Sequence, residues 1–175
     1  MDKKKVLFIV IFGIVSILFY FSYSVITKSK EKDEIAKQIQ TIPKFKLQTL
    51  DNNSFTNSKI KPSLPTIFIY FNSDCDFCHH EAKNISQNLN KFKDVQFIFV
   101  SSERIKVIKQ FSEKYNLNNK SNITFLYDSD YLFSRQFNAN SIPYILIYNK
   151  NKELIKKQNG QLNAKGILKV LNQND

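Results

Sequence analysis

The sequence predicts an α/β domain: a central mixed β-sheet flanked by helices. Three observations carry this. Short β-prone runs alternate with segments whose apolar residues fall at helical spacing, the pattern of strands crossing over through helices to a parallel core sheet. The run "TIFIYF" is apolar throughout and has the length of a strand covered on both faces. The last two strand-like runs are joined by the short turn "NKNK", so they must lie antiparallel.

In order, "FKLQTL" over 45–50 alternates apolar and polar side chains and reads as a half-buried strand, followed by the turn "DNNS" and a second short strand starting at Phe55. Pro62 and Pro65 bracket a break before the buried strand 66–71. Asn72, Ser73 and Asp74 end that strand and offer N-cap chemistry for a helix over 75–92, with Ile85, Leu89 and Phe92 on its inner face. A strand over 95–101 and a helix over 103–115 follow, the latter opened by Ser102 and Glu103, with Ile105, Ile108 and Phe111 inward. Strand 123–127, a short helix over 130–137, the strand pair 144–149 and 153–158, and a closing helix over 163–171 complete the domain. No internal repeat is present.

Ahead of the domain, Lys3, Lys4 and Lys5 precede an uncharged run from 6 to 26, about the length a bilayer-spanning helix needs. Tyr20 and Tyr23 stand toward its far end, where an interfacial aromatic belt would sit. The reading is a cytoplasmic tail over 1–5, an uncleaved transmembrane anchor over 6–26, a partly helical tether over 27–43 and one domain over 44–175. A cleaved signal peptide is the competing reading, and its apolar core would be shorter. Either one exports the domain.

The chain has 175 residues, a net charge of +11, 16 Phe, 8 Tyr and no Trp. The lysines are scattered among Asn, Gln and Glu without an arginine-rich stripe, so the charge does not imply nucleic acid as a partner.

Both cysteines and both histidines fall in "FNSDCDFCHHEAKN". The string C-D-F-C-H fits a redox pair opening a helix, a c-type haem attachment site or half of a zinc site. Cys75 follows a buried strand and begins a helix, where free backbone N–H groups and the helix dipole favour a thiolate. Cys78, three residues on, shares that helical face and lies within disulfide reach. Cys75 then attacks a substrate disulfide and Cys78 resolves the mixed disulfide. The haem reading would use His79 as an iron ligand, but the distal ligand it wants has no candidate besides Met1 and the adjacent His80. Zinc would need four converging ligands, and these four point in different directions on one helix. A structural disulfide, or two buried thiols, is the remaining plain reading. In "NSIPYILIY", Pro143 closes a loop directly before a strong strand, beside the helix that carries Cys75.

With "IYFNSDCDFCHHEAKN" and "SIPYILIYNKNKELIKKQNG" side by side, the chain from Phe45 onward resembles a thioredoxin-fold thiol–disulfide oxidoreductase, most of all the membrane-anchored TlpA/ResA-like redoxins of bacteria. The resemblance implies a thioredoxin-like fold with an N-terminal β-hairpin, and a cis Ile142–Pro143 peptide packed against the cysteine pair. Ile142 would offer its backbone to an incoming substrate strand. Glu81, three residues after Cys78, would tune thiol protonation or relay a proton. The resemblance further implies a protein disulfide as substrate, a transmembrane thiol as electron donor, a bacterial cytoplasmic-membrane location with the domain outside, and no cofactor or metal beyond the cysteine pair. The departures are Asp74 and Phe77, where the family often has Trp and Pro, and Ile69, where thioredoxin carries a buried acid. Asp74 and Asp76 put like charge beside the nucleophile and disfavour a thiolate, which His79 and His80, if protonated, would oppose; the expectation is a reducing poise. A peroxidase of the peroxiredoxin kind would want Ser or Thr where Asn72 stands. A binding module that keeps the fold without the chemistry is the other alternative.

Overall fold

In the computed structural model, which describes residues 3–174 and the side chains of all of these except residues 3–10, 28, 31 and 32, the chain divides into two units, residues 1–37 and 38–175. One helix, α1 (Lys3–Gln38), runs through the residues expected as an anchor and through most of those expected as a tether. The expected span over 6–26 begins among side chains outside the described set. Among the described residues no helix is long and apolar enough to cross a membrane.

The second unit is a seven-stranded sheet in the order β2-β1-β5-β4-β3-β6-β7. Its strands are β1 (Lys46–Thr49), β2 (Ser54–Thr56), β3 (Thr66–Tyr70), β4 (Gln96–Ser101), β5 (Ile123–Tyr127), β6 (Tyr144–Tyr148) and β7 (Leu154–Asn159). The helices are α2 (Asp76–Gln87), α3 (Ile105–Lys114), α4 (Leu132–Gln136) and α5 (Ala164–Asn172). β3, β4 and β5 are parallel; β6 runs antiparallel to β3, and β7 to β6. The expected β1–β2 hairpin forms and joins the sheet antiparallel to β5.

Alternation along β3 feeds two aromatic-rich layers. Ile67, Ile69 and Phe71 join Ile85 of α2, Ile108 and Phe111 of α3 and Ile167 of α5 in one cluster. On the other face Phe68 packs on Phe45, Phe133, Phe137 and Tyr148. Burial on both faces is why "TIFIY" carries no polar alternation.

Two boundaries move from their sequence-based places. The expected helix over 75–92 stops at Gln87 and continues as a short 3₁₀ turn at Leu89–Lys91, which still delivers Phe92 to the core. The region expected as tether ends earlier, because Ile39 is buried, its carbonyl accepts from Tyr148 Oη at 3.1 Å, and Thr41 bridges to Glu153.

Register decides where the site forms. Tyr70, the last residue of β3, pairs with Tyr144, the first of β6. An antiparallel neighbour must start where β3 ends, so Pro143 meets the loop that leads to Cys75.

Candidate active site

The loop between β3 and α2 is held by its second residue. Asn72 accepts the Asp74 N–H on Oδ1 at 2.7 Å and the Cys75 N–H on its carbonyl at 3.3 Å. The residues 72–74, expected to supply the N-cap, do not. Cys75 itself is the N-cap of α2, in extended conformation, and its Sγ accepts the Cys78 N–H at 3.3 Å. A sulfur in that position replaces the usual cap oxygen and meets the positive end of the helix. The Cys75 thiol also faces the carbonyl of Ile142 at 3.7 Å. The Ile142–Pro143 peptide is cis, as the resemblance implied.

The two sulfurs occupy different surroundings. Cys75 is partly exposed, whereas Cys78 is buried, and both are free thiols. Burial, then the hydrogen bond with Cys75, pushes the Cys78 thiol far up; the Asn72 backbone draws it part of the way back, and the charges of Cys75 and Glu81 add smaller upward pushes. Glu81 stands one turn further along α2 and is wholly buried. Its Oε2 accepts the Leu162 N–H at 2.8 Å, while Oε1 has no partner. Burial pushes this carboxyl up to about 7, and the Leu162 N–H draws it part of the way back.

Asp74, Asp76 and Phe77 lie at the exposed rim; Phe77 keeps 63% of its surface exposed and Ile142 keeps 42%. His79 turns away from the thiols toward α3, where its ring stacks on Phe111 and Nδ1 meets Tyr115 Oη at 2.6 Å. With Cys78 buried and His79 engaged, the C-D-F-C-H string does not present the two sulfurs and the imidazole outward together, as haem attachment would require. Among the described residues no three His, Cys, Asp or Glu side chains are grouped to hold a metal ion.

The structure also brings in residues that the sequence reading did not place at the site. Glu103, expected only to open a helix, reaches back to Ser73, and Leu162 closes over Glu81. The strand register signals the first contact: Tyr70 pairs with Val100, and Ser73 and Glu103 each lie three residues beyond that pair. The Leu162 contact has no local signal, since it joins residues 81 positions apart.

A family model described as the AhpC/TSA family matches residues 39–157, more than half of the 175-residue chain. The chain belongs to the AhpC/TSA family. As a member it is an oxidoreductase. No curated protein matches it. Among solved structures, the fold is similar to that of MTB dsbF, at 19% identity and a TM-score of 0.65, covering 78% of this chain and 96% of that one. It is similar to a secreted Mycobacterium tuberculosis disulfide oxidoreductase homologous to E. coli DsbE, at 22% identity and a TM-score of 0.61, with the same coverage of 78% and 96%. StoA from Bacillus subtilis is similar at 18% identity and a TM-score of 0.59, covering 75% of this chain and 98% of that one. These likenesses establish the thioredoxin-like fold of the AhpC/TSA domain.

Proposed function

We propose that the chain exchanges thiols with protein disulfides outside the cytoplasmic membrane, as a reductant. One observation carries the reading: Cys75 Sγ sits at the rim between the Cys78 N–H and the Ile142 carbonyl, with the second thiol buried behind it. Cys75, as thiolate, attacks one sulfur of the substrate disulfide; that S–S bond breaks and the leaving thiolate takes up a proton. Cys78 then attacks Cys75 Sγ, giving its proton to the free Oε1 of Glu81, and the second substrate sulfur leaves as a thiolate that water protonates. Two electrons pass to the substrate, and Cys75–Cys78 ends as the disulfide. Buried Cys78 is a poor nucleophile until that proton moves, so a carboxyl at about 7 is well matched to the task.

The substrate strand lies along Ile142, with Phe77 and Ile142 supplying apolar contact and Asp74 and Asp76 flanking the reacting sulfur. The uncharged run 6–26 within α1 anchors the domain, and a transmembrane thiol donor returns the electrons. A thiol peroxidase is the second reading, favoured by the family match. Against it, the position three residues before Cys75 is held by Asn72, whose side-chain oxygen is already bonded to the Asp74 N–H.

Cys78→Ser in the full chain should trap a mixed disulfide through Cys75 that a reductant releases, and Cys75→Ser should trap none. Titration of the pair against dithiothreitol should give a potential near or below about −270 mV. A value near about −120 mV would reverse the direction of electron flow. Peroxide turnover that persists in Cys78→Ser would favour the peroxidase.

A further inference from the structure

Beyond the Phe71 N–H, which donates to the Val100 carbonyl at 3.0 Å, three backbone N–H groups follow Asn72 to the nucleophile, those of Ser73, Asp74 and Cys75. Asn72 accepts two of them, and those bonds begin and end within the loop. The third goes elsewhere. Ser73 N–H donates to Glu103 Oε2 at 2.7 Å, and Ser73 Oγ–H donates to Glu103 Oε1 at 2.6 Å. One carboxylate thus grips one residue with both oxygens, two positions before Cys75. Glu103 is fixed in turn: Ser101 Oγ lies 3.3 Å from Oε2, and the Glu103 N–H donates to Ser101 Oγ at 3.2 Å. Ser101 is the last residue of β4 and is fully buried. The acid is therefore mounted on the end of a central strand and reaches across to the neighbouring one. Hydrogen bonds to an ionised acceptor are short and strong, and a two-point grip fixes direction as well as distance.

We infer that Glu103 is a positioning residue for thiol–disulfide exchange: it holds the Ser73 backbone so that Cys75 Sγ keeps its place before the Ile142 carbonyl. The inference rests on the reading of Cys75 as the attacking thiol. The loop is held on one flank by Glu103 and on the other meets Ile142 through sulfur. Release of the first flank leaves Asn72 holding the turn's internal shape but not its placement against β6. Misplacement by about 1 Å can cost about a hundredfold in rate when the transition state demands alignment. In-line attack on a protein disulfide laid along Ile142 makes that demand. Alkylation of the same thiol by a small, freely tumbling reagent does not.

The test compares Glu103→Ala, Glu103→Gln and Ser73→Ala with the unaltered full chain in reduction of insulin, alongside alkylation by iodoacetamide and thermal melting. Glu103→Ala should lower kcat for insulin about tenfold with KM within about twofold, while the Cys75 alkylation rate changes less than about twofold. Glu103→Gln, which retains an accepting oxygen of the same reach, should recover kcat to within about threefold of the unaltered chain, and Ser73→Ala should fall between. An unchanged kcat in Glu103→Ala would overturn the inference. So would a parallel fall in alkylation and insulin rates, which marks general loosening; if Glu103→Ala does not fold, Ser73→Ala decides by the same ratio. Cys75→Ser is the control: if it still reduces insulin, the assignment of the attacking thiol has failed rather than the role of Glu103.

Discussion

A carboxyl that is wholly buried with one oxygen unpaired works against folding once it ionises, and Glu81 is such a group. Its value in the folded chain, about 7, lies above the ordinary 4.5, so the folded state holds the proton more tightly than the unfolded chain does. The resulting stabilisation is whole below pH 4.5 and is lost as pH rises through about 7. A shift of that size corresponds to about 3 kcal/mol. Urea melts of the reduced protein between acid and mildly alkaline pH should therefore show a loss of that order, and Glu81→Gln should flatten it; equal slopes would mean that Glu81 is not the titrating group. The same substitution should slow release of a trapped substrate more than formation of the mixed disulfide, because it removes the proton acceptor for Cys78 and leaves Cys75 as it was. Glu81 was legible in the sequence only through the family resemblance. Glu103 was not legible as a site residue at all: it reads as a helix-opening acid, and its partner Ser73 lies 30 residues away.

At the level of elements, strands such as β3 and β6 followed from apolar patterning because they are buried along their whole length. The direction of β6 was less legible. A β-α-β order suggests another parallel crossover, but α4 is a helix of only five residues, and the chain returns antiparallel beside β3. That reversal places Pro143 at the end of the sheet where Cys75 lies, so proline and cysteine motifs 65 positions apart in the sequence share one site. The start of the domain was hidden for a different reason: Ile39 sits in a charged, polar stretch, and the group that bonds its carbonyl, Tyr148 of β6, lies 109 residues away. Ile39→Ala should cost about 2–4 kcal/mol in a denaturant melt, as for a filled core position. Tyr148→Phe, which leaves the buried Ile39 carbonyl without its donor, should cost about 1–2 kcal/mol. If neither moves the midpoint, residues 38–43 are a tether after all.

Over the whole molecule, the charge of +11 and the charge at the site have opposite signs. Asp74 and Asp76 flank the attacking sulfur, both are exposed, and neither carboxylate has a hydrogen-bond or ion-pair partner among the described residues. A reactant therefore meets an attractive or repulsive field set by the whole surface from afar and by two carboxylates at contact. In water, two unit charges about 4 Å apart interact by about 1 kcal/mol, and salt screens this beyond about 8 Å at physiological strength. Contact charges thus outlast the distant lysines as ionic strength rises. Two small disulfides of opposite charge separate these contributions: cystamine, a dication, and glutathione disulfide, a net anion at neutral pH. If the two aspartates dominate, cystamine should oxidise the reduced pair about tenfold faster than glutathione disulfide at physiological salt, and the double substitution Asp74→Asn with Asp76→Asn should bring the ratio to about one. If the lysines dominate, the preference should run the other way at low salt and vanish at about 1 M, where screening reaches about 3 Å. The first outcome describes a site that discriminates against anionic disulfides and in favour of substrates with basic residues beside the disulfide. The second would assign Asp74 and Asp76 to setting the thiol chemistry of Cys75, leaving substrate choice to Phe77 and the backbone of Ile142.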